Sequence, residues 1–221
     1  MKDLLEKILS YLPVYIPDLM RLLGGPKKFV AERNKGSEGD VAKAFAFLGV
    51  SLSIFFILQG SLVAANVFLT NAIVYGVLYL LFVGIFSGII QLCWKIVGGK
   101  AMYQRFLVIS SYYVGVFSLG LAVGSLFFIG ILRLFSPDAY AWFVKFIAAP
   151  SLQNAYNPDP GIVVAFMAFL FVAFLTLVWE FIGWGAYREL NQLSRFRSCA
   201  ALFLTVLFSV PAAAALYIMA F

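Results

Sequence analysis

The chain has 221 residues, of which 63% are hydrophobic and 12% are charged, and its formal net charge is +6. Water-soluble domains carry about 25% charged and about 45–50% apolar residues, so the composition excludes a soluble fold and indicates that the surplus apolar surface faces lipid. The sequence contains no histidine, which excludes every catalytic or metal site that needs an imidazole.

Residues 1–40 form a charged, amphipathic segment that we place in the cytoplasm. One face of its first helix is apolar and consists of Leu4, Leu5, Ile8, Leu9 and Leu12. This pattern predicts a helix lying in the membrane interface, and packing against the bundle or a partner protein is the alternative. We predict that Pro13 ends this helix and that Asp18 caps a second one over Leu19–Leu23. Asn34–Asp40 is rich in Gly, Ser and charge, which predicts a flexible connector.

Residues 41–221 form the membrane domain. A helix needs roughly 20 apolar residues to cross the hydrocarbon layer, and the long apolar runs do not alternate in polarity as barrel strands would. Five segments meet the length requirement: Ala44–Phe68, Ala72–Trp94, Phe106–Leu132, Ile162–Gly185 and Ser198–Phe221. The first of them is expected to serve also as the insertion signal, because no apolar signal core precedes it.

Two of the connections between spans carry structural predictions. A very short turn around Leu69–Asn71 joins the first two spans in a tight hairpin. The long connection Arg133–Gly161 contains an amphipathic stretch from Tyr140 to Ile147, which predicts a helix along the outer surface. Ser151–Pro160 contains Gln, Asn and Pro residues and is predicted to be a loop.

The positions of the basic residues predict the orientation. Of the sixteen Lys and Arg residues, only Arg133 and Lys145 lie in the long connection between the third and fourth spans. The others precede the first span or lie in the turns between spans two and three and between spans four and five. Because positive residues stay on the cytoplasmic side, we predict a cytoplasmic N-terminus and an external C-terminus. The expected location is a cell membrane, the prokaryotic inner or plasma membrane.

The basic cytoplasmic face is a candidate surface for anionic lipid headgroups or a protein partner, because each Lys or Arg near such a membrane contributes about 1 kcal/mol. Simple retention of positive charge, without a specific ligand, is the alternative. The candidate residues are Lys27, Lys28, Arg33, Lys100, Arg105, Arg188, Arg195 and Arg197.

Glu180 is the only acidic residue well inside an apolar run. It lies near the cytoplasmic end of its span, where an ion pair with Arg188, Lys100 or Arg105 is the expected role. A carboxylate linked to proton or substrate movement is the alternative, because buried ionisable residues in membranes are commonly functional.

Other polar side chains within the spans include Gln59, Tyr112 and Tyr113, which suit either packing between helices or a permeation path. Gly84 with Gly88, and Gly120 with Gly124, are spaced four apart. Each pair lies on one helix face and predicts close approach of a neighbouring helix in spans two and three.

Three local sequences resemble the Yip1 family of small polytopic membrane proteins. They are Gly25–Phe29 (GPKKF) before the first span, Gly98–Arg105 leading on to Tyr112 and Tyr113, and Leu190–Arg195 (LNQLSR) entering the last span. The resemblance implies a five-span domain over residues 41–221, with a cytoplasmic N-terminus. It also implies a role in membrane organisation or trafficking, in eukaryotic members with small GTPases as partners, and no defined reaction for compact prokaryotic members.

These observations predict an all-α integral membrane protein of five transmembrane helices. We expect a non-catalytic scaffold of Yip1 type, with membrane lipids and either a protein partner or a second copy of the chain as partners. We expect no cofactor, no metal and no nucleic-acid partner. The alternative function is a small-molecule permease or channel whose polar path includes Glu180 and Gln59.

Overall fold

The computed structural model describes residues 2–62, 65–148 and 159–220 of the chain. Within these ranges all regular secondary structure is α-helical, as the sequence predicts. In chain order the helices are α1 (Lys2–Gly24), α2 (Pro26–Arg33), α3 (Glu38–Leu62), α4 (Ala65–Ile96), α5 (Tyr103–Phe135), α6 (Pro137–Ala148), α7 (Pro160–Asn191) and α8 (Arg195–Ala220).

Four helices in the described ranges contain stretches that are long and apolar enough to cross a membrane. These stretches, in α3, α4, α5 and α7, are Gly39–Gln59, Gly76–Ile96, Tyr103–Phe135 and Pro160–Asn191. They coincide with the first four predicted spans and identify a multi-pass membrane protein. α8 coincides with the fifth predicted span, and its crossing of the bilayer remains a prediction.

α5 is the central helix, and it packs along α3 on one side and along α7 on another. Small residues allow the close approach to α7. A Cβ atom at Gly120 would overlap the side chain of Thr176, and a Cβ atom at Gly124 would lie 3.0 Å from the ring of Phe169. The close approach predicted for this glycine pair is therefore confirmed.

The glycine pair on α4 has a different role. A Cβ atom at Gly84 or Gly88 would lie 3.5 or 3.9 Å from the side chain of Tyr103, which is ordinary contact. The Tyr103 hydroxyl donates a hydrogen bond to the Gly84 carbonyl at 2.8 Å. This face of α4 therefore receives an aromatic side chain at ordinary distance, and the predicted close backbone approach at this pair is wrong.

α1 is one continuous helix through Pro13 and Pro17, so the prediction that Pro13 ends it is wrong. Each proline removes one backbone hydrogen bond, but both face outward, which leaves the opposite face free to pack. Tyr15 and Leu22 on that inner face are buried against the rest of the bundle. This packing stabilises the helix where local sequence alone would end it.

Asp18 does not cap a second helix as predicted, because it lies inside α1. Its buried carboxylate accepts a hydrogen bond from the guanidinium of Arg33 on α2, over 2.7 Å. The residue therefore joins α1 to α2.

The sequence predicts the turn between the first two spans around Leu69–Asn71, and the structure contradicts that position. α3 ends at Leu62 and α4 begins at Ala65, so the backbone of residues 69–71 is helical. Apolar composition shows that a span is present but does not set where it ends, and α4 at 32 residues is about 48 Å long.

The helix predicted around Tyr140–Ile147 is confirmed as α6. Its inner face contacts α5, where Phe143 packs edge-on against Phe128 with ring centroids 5.0 Å apart. Residues 149–158, which include most of the predicted loop Ser151–Pro160, lie outside the described residues. At the start of α7, the Asp159 carboxylate caps the helix by accepting a hydrogen bond from the Gly161 amide.

Candidate functional site

The three basic segments of the sequence meet at one end of the bundle, which we call the basic end. Asn34, at the end of α2, donates to the carbonyl of Arg105 on α5, and Arg105 donates back to the carbonyl of Asn34, each over 2.9 Å. The Asn191 side chain at the end of α7 accepts a hydrogen bond from the Ala101 amide in the α4–α5 turn. Polar side chains therefore hold α2, the α4–α5 turn and the end of α7 together.

α1 and α2 are joined at the basic end by two ion pairs. One links Arg33 to Asp18, and the other links Arg21 to Glu32. The Asp18 side chain is 2% exposed, whereas both partners of the Arg21 pair are about half exposed. The Arg33–Asp18 pair is thus shielded from solvent. Solvent screens most of the attraction between Arg21 and Glu32.

Four aromatic rings form the core beneath these helices. Phe47 on α3 lies 5.0 Å from Tyr15 and 5.1 Å from Tyr112, and Tyr112 meets Phe29 edge-on at 5.0 Å between centroids. The Tyr15 hydroxyl hydrogen-bonds Ser51, and burial raises the pKa of Tyr15 although this bond opposes the shift. Tyr112 is therefore part of a core that joins α1, α2, α3 and α5.

A cavity of about 170 Å³ lies at the basic end between α2, α5 and α7, and we call it the polar cavity. Lys27, Asn34 and Arg105 line it together with Glu189. Among the described residues, the Arg105 Nε and the Asn34 Oδ1 are buried and have no hydrogen-bond partner. Lys27 lies against Gly185, where only the missing side chain leaves room for its stem.

The other predicted basic residues lie outside this cavity. Arg33 pairs with Asp18, and Arg188 is partly buried. Arg197 lies next to Gly98, and a Cβ atom added at Gly98 would lie 3.2 Å from the Arg197 Nη1. The remaining members of the predicted set are exposed, namely Lys28, Lys100 and Arg195. Of the eight predicted basic residues, the structure brings only Lys27 and Arg105 into one cavity.

A second cavity, of about 320 Å³, lies deeper between α4, α5, α7 and α8, and we call it the lateral cavity. Its lining is almost entirely apolar and aromatic, with Phe86, Phe117, Trp184 and Tyr187 among the larger side chains. Among the described residues, Glu180 on α7 is the single charged residue that lines it.

The predicted ion pair of Glu180 is not formed. Among the described residues no ion pair joins it to Arg188, Lys100 or Arg105, and its Oε1 is buried without a hydrogen-bond partner. Two of the predicted partners are directed elsewhere, because Lys100 is exposed and the Arg105 guanidinium donates to the Asn34 carbonyl.

Tyr113 and Gln59 lie in different cavities. Tyr113 lines the lateral cavity, but its hydroxyl donates to the Gly183 carbonyl on α7 at 2.7 Å. Gln59 lines a third cavity, of about 320 Å³, and donates to Ser125 at 2.8 Å. No residue among those described lines both of these cavities.

Sequence reasoning missed several residues of these sites. Asn34 was assigned to a flexible connector, yet it is 3% exposed and hydrogen-bonded to Arg105. Asn191 appeared only as part of a turn sequence, and Ser209, whose buried Oγ has no hydrogen-bond partner among the described residues, was not singled out. An Asn within a basic turn is the only signal that the sequence offers for such a link.

In comparisons with protein-family models, with curated proteins and with solved structures, no match to this chain was found. The fold and its cavities are therefore the basis for a functional assignment.

Proposed function

We propose that this chain is a non-catalytic membrane protein of Yip1 type that binds anionic lipid headgroups at its basic end, which faces the cytoplasm. The observation that supports this proposal most is the polar cavity, where Lys27 and Arg105 lie around a space with an unpartnered buried guanidinium nitrogen. A phosphate oxygen is the natural acceptor for such a nitrogen, because charge-assisted hydrogen bonds to arginine are among the stronger ones.

The charge distribution supports the same role. Exposed Lys28, Lys100 and Arg195 surround the basic end and contribute a positive field that attracts an anionic leaflet. Glu189 offsets one of the two cations of the polar cavity, so the site suits a headgroup of low net negative charge.

The outer face of α1 supports contact with lipid beside this site. Ile16 and Met20 are 59% and 66% exposed, although both are large and apolar. Because an exposed apolar face is stable against other apolar groups, we expect α1 to lie against acyl chains while Lys28 on α2 faces the headgroups.

The permease alternative has less support. A permeation path needs polar groups in continuous succession through the bundle. Gln59 and Glu180 line separate cavities in the described part of the chain, and Tyr112 lies in the aromatic core.

The test is lipid binding by the full chain in nanodiscs of defined composition, measured by exchange of a fluorescent anionic phospholipid. Lys27→Gln should weaken binding at least about tenfold, because it removes a charge-assisted contact inside the polar cavity in addition to the general attraction that any lysine near the membrane contributes. Lys28→Gln is the matched control, since it removes the same charge from the adjacent, exposed position. Equal effects of the two variants, or equal affinity for zwitterionic lipid, would refute a specific headgroup site.

A role as a scaffold for proteins is tested separately by crosslinking in native membranes. A partner, or a second copy of the chain, should be recovered through the exposed basic residues of α2 and the turns. Charge reversal at Lys100, which lies outside both cavities, should reduce that recovery. Unchanged recovery would place the protein contact elsewhere on the molecule.

A further inference from the structure

The lateral cavity opens through the side of the bundle. α7 packs along α5, and α8 packs along α4, while the described residues of α7 and α8 make few contacts with each other. Their described polar contact is at the basic end, where the Trp184 indole nitrogen donates to Ser198. Leu177 and Phe181 on α7 and Val206 on α8 line the cavity and are exposed. The opening between α7 and α8 therefore faces the lipid.

Two buried polar atoms inside this cavity lack hydrogen-bond partners among the described residues. They are the Oε1 of Glu180 and the Oγ of Ser209. Polar groups that are left unpaired in an apolar environment destabilise the protein, so a ligand that pairs with them is favoured.

The cavity's other polar groups are engaged in bonds to the protein. The Ser110 and Tyr187 hydroxyls pair with each other at 2.9 Å, and Thr205 donates to the Ala201 carbonyl. The unpaired carboxylate oxygen is thus available to a ligand.

The level of Glu180 along α7 matches that of a lipid headgroup. It lies 20 residues after Pro160, the first residue of α7, which is about 30 Å along the helix axis. This distance equals the thickness of the hydrocarbon layer. A headgroup bound at Glu180 would therefore lie at one boundary of the hydrocarbon layer, and its attached hydrocarbon tail would lie within that layer.

We propose that the lateral cavity binds the protonated amine of an amphiphile, with the amine at Glu180 and the hydrocarbon chain leaving between α7 and α8. A carboxylate pairs with an ammonium group, and no described cationic side chain lies within ion-pair distance of it. Aromatic faces add cation–π attraction, and Trp184, Tyr187 and Phe86 provide them here. This inference does not depend on headgroup binding at the polar cavity, which involves different residues.

The amphiphile has two possible sources, an amino-headed membrane lipid or a lipophilic amine that enters from the bilayer. Both present the same chemistry to Glu180. The first should co-purify with the protein from native membranes and be lost in Glu180→Gln, as measured by lipid mass spectrometry. The second should bind when added to the purified protein without any such co-purified lipid.

The binding test uses a long-chain primary amine carrying a photoreactive group, added to the full chain in nanodiscs. Crosslinks should map to α7 and α8 at the cavity mouth, near Phe181 and Val206. A fatty alcohol of equal length should compete at least about tenfold more weakly, because it forms no ion pair. Equal competition by the alcohol would overturn the proposal, as would crosslinks confined to other surfaces.

Three variants complete the test. Glu180→Gln should reduce amine labelling at least about tenfold. Asp138→Asn removes the same charge from an exposed position on α6, outside the three cavities, and should leave the labelling unchanged. Val206→Trp adds bulk at the cavity mouth, at a position that is 56% exposed, and should block entry. Labelling that survives both Glu180→Gln and Val206→Trp would overturn the proposal.

Discussion

Arg33 on α2 donates a hydrogen bond to the buried carboxylate of Asp18 on α1 over 2.7 Å. The bond joins α1 to α2, which follow each other directly in the chain. It also explains why a carboxylate is retained on the inner face of an apolar helix, since burial of the charge requires a paired partner.

We predict that Asp18→Asn destabilises the protein by about 2 kcal/mol, because it removes a charged partner from a shielded pair. Thermal unfolding in detergent measures the change, and limited proteolysis should show earlier cleavage in α1. Glu32→Gln is the control, since the exposed Arg21 pair that it breaks contributes less than about 1 kcal/mol. A loss equal to that of Asp18→Asn would contradict the assignment of the Asp18 pair as the stronger link.

Gly120→Ala should destabilise the contact between α5 and α7 by about 1–3 kcal/mol, because the added Cβ overlaps Thr176. Gly130→Ala on the same helix meets no atom within 4 Å and should be neutral or slightly stabilising. Thermal unfolding of the two variants provides the comparison. Thr176→Ala should recover part of the loss at Gly120, and failure to do so would locate the strain elsewhere.

The turns at the basic end offer a pair of substitutions with opposite signs. Gln192 ends α7 in the left-handed conformation with φ of 54°, so Gln192→Gly should stabilise the protein by about 0.5–1 kcal/mol. Gly98 has φ of 100° and Arg197 nearby, so Gly98→Ala should destabilise it by about 1–2 kcal/mol. Unfolding temperatures that move in the same direction for both would contradict this account of the turns.

The proposed orientation predicts which side of the membrane each surface faces. Cys199 is exposed at the basic end, whereas Cys93 is buried. An impermeant maleimide should label Cys199 only from the cytoplasmic side. In a cysteine-free background, Asp138→Cys on α6 should be labelled only from the outside. The reverse pattern would invert the topology.

The sequence could predict the spans but not their ends or their partners. Long apolar runs indicate membrane helices regardless of tertiary context, which is why the first four spans coincide with α3, α4, α5 and α7. Local rules failed at Pro13, because burial of Tyr15 and Leu22 keeps α1 helical. They failed again at Leu69–Asn71, because apolar runs carry no marker of a turn.

The candidate sites were predicted only in part, and for a physical reason. The sequence shows that Glu180 is an acidic residue inside an apolar run and that Lys27 and Arg105 are basic. Which residues these side chains pair with depends on which face of each helix packs against its neighbour. Arg105 turns toward Asn34, so Glu180 remains without the partner that spacing alone suggests. No short sequence pattern predicts the bond between Arg105 and Asn34, because these two residues are 71 positions apart in the chain.

The packing of α1 has a consequence for how the protein is made. The ribosome synthesises α1 before the residues of α3 that receive its inner face, Phe47 and Ser51. The nascent α1 must therefore wait at the membrane surface until the bundle beneath it exists. Docking of α1 therefore follows the insertion of α3, although α1 is translated before α3.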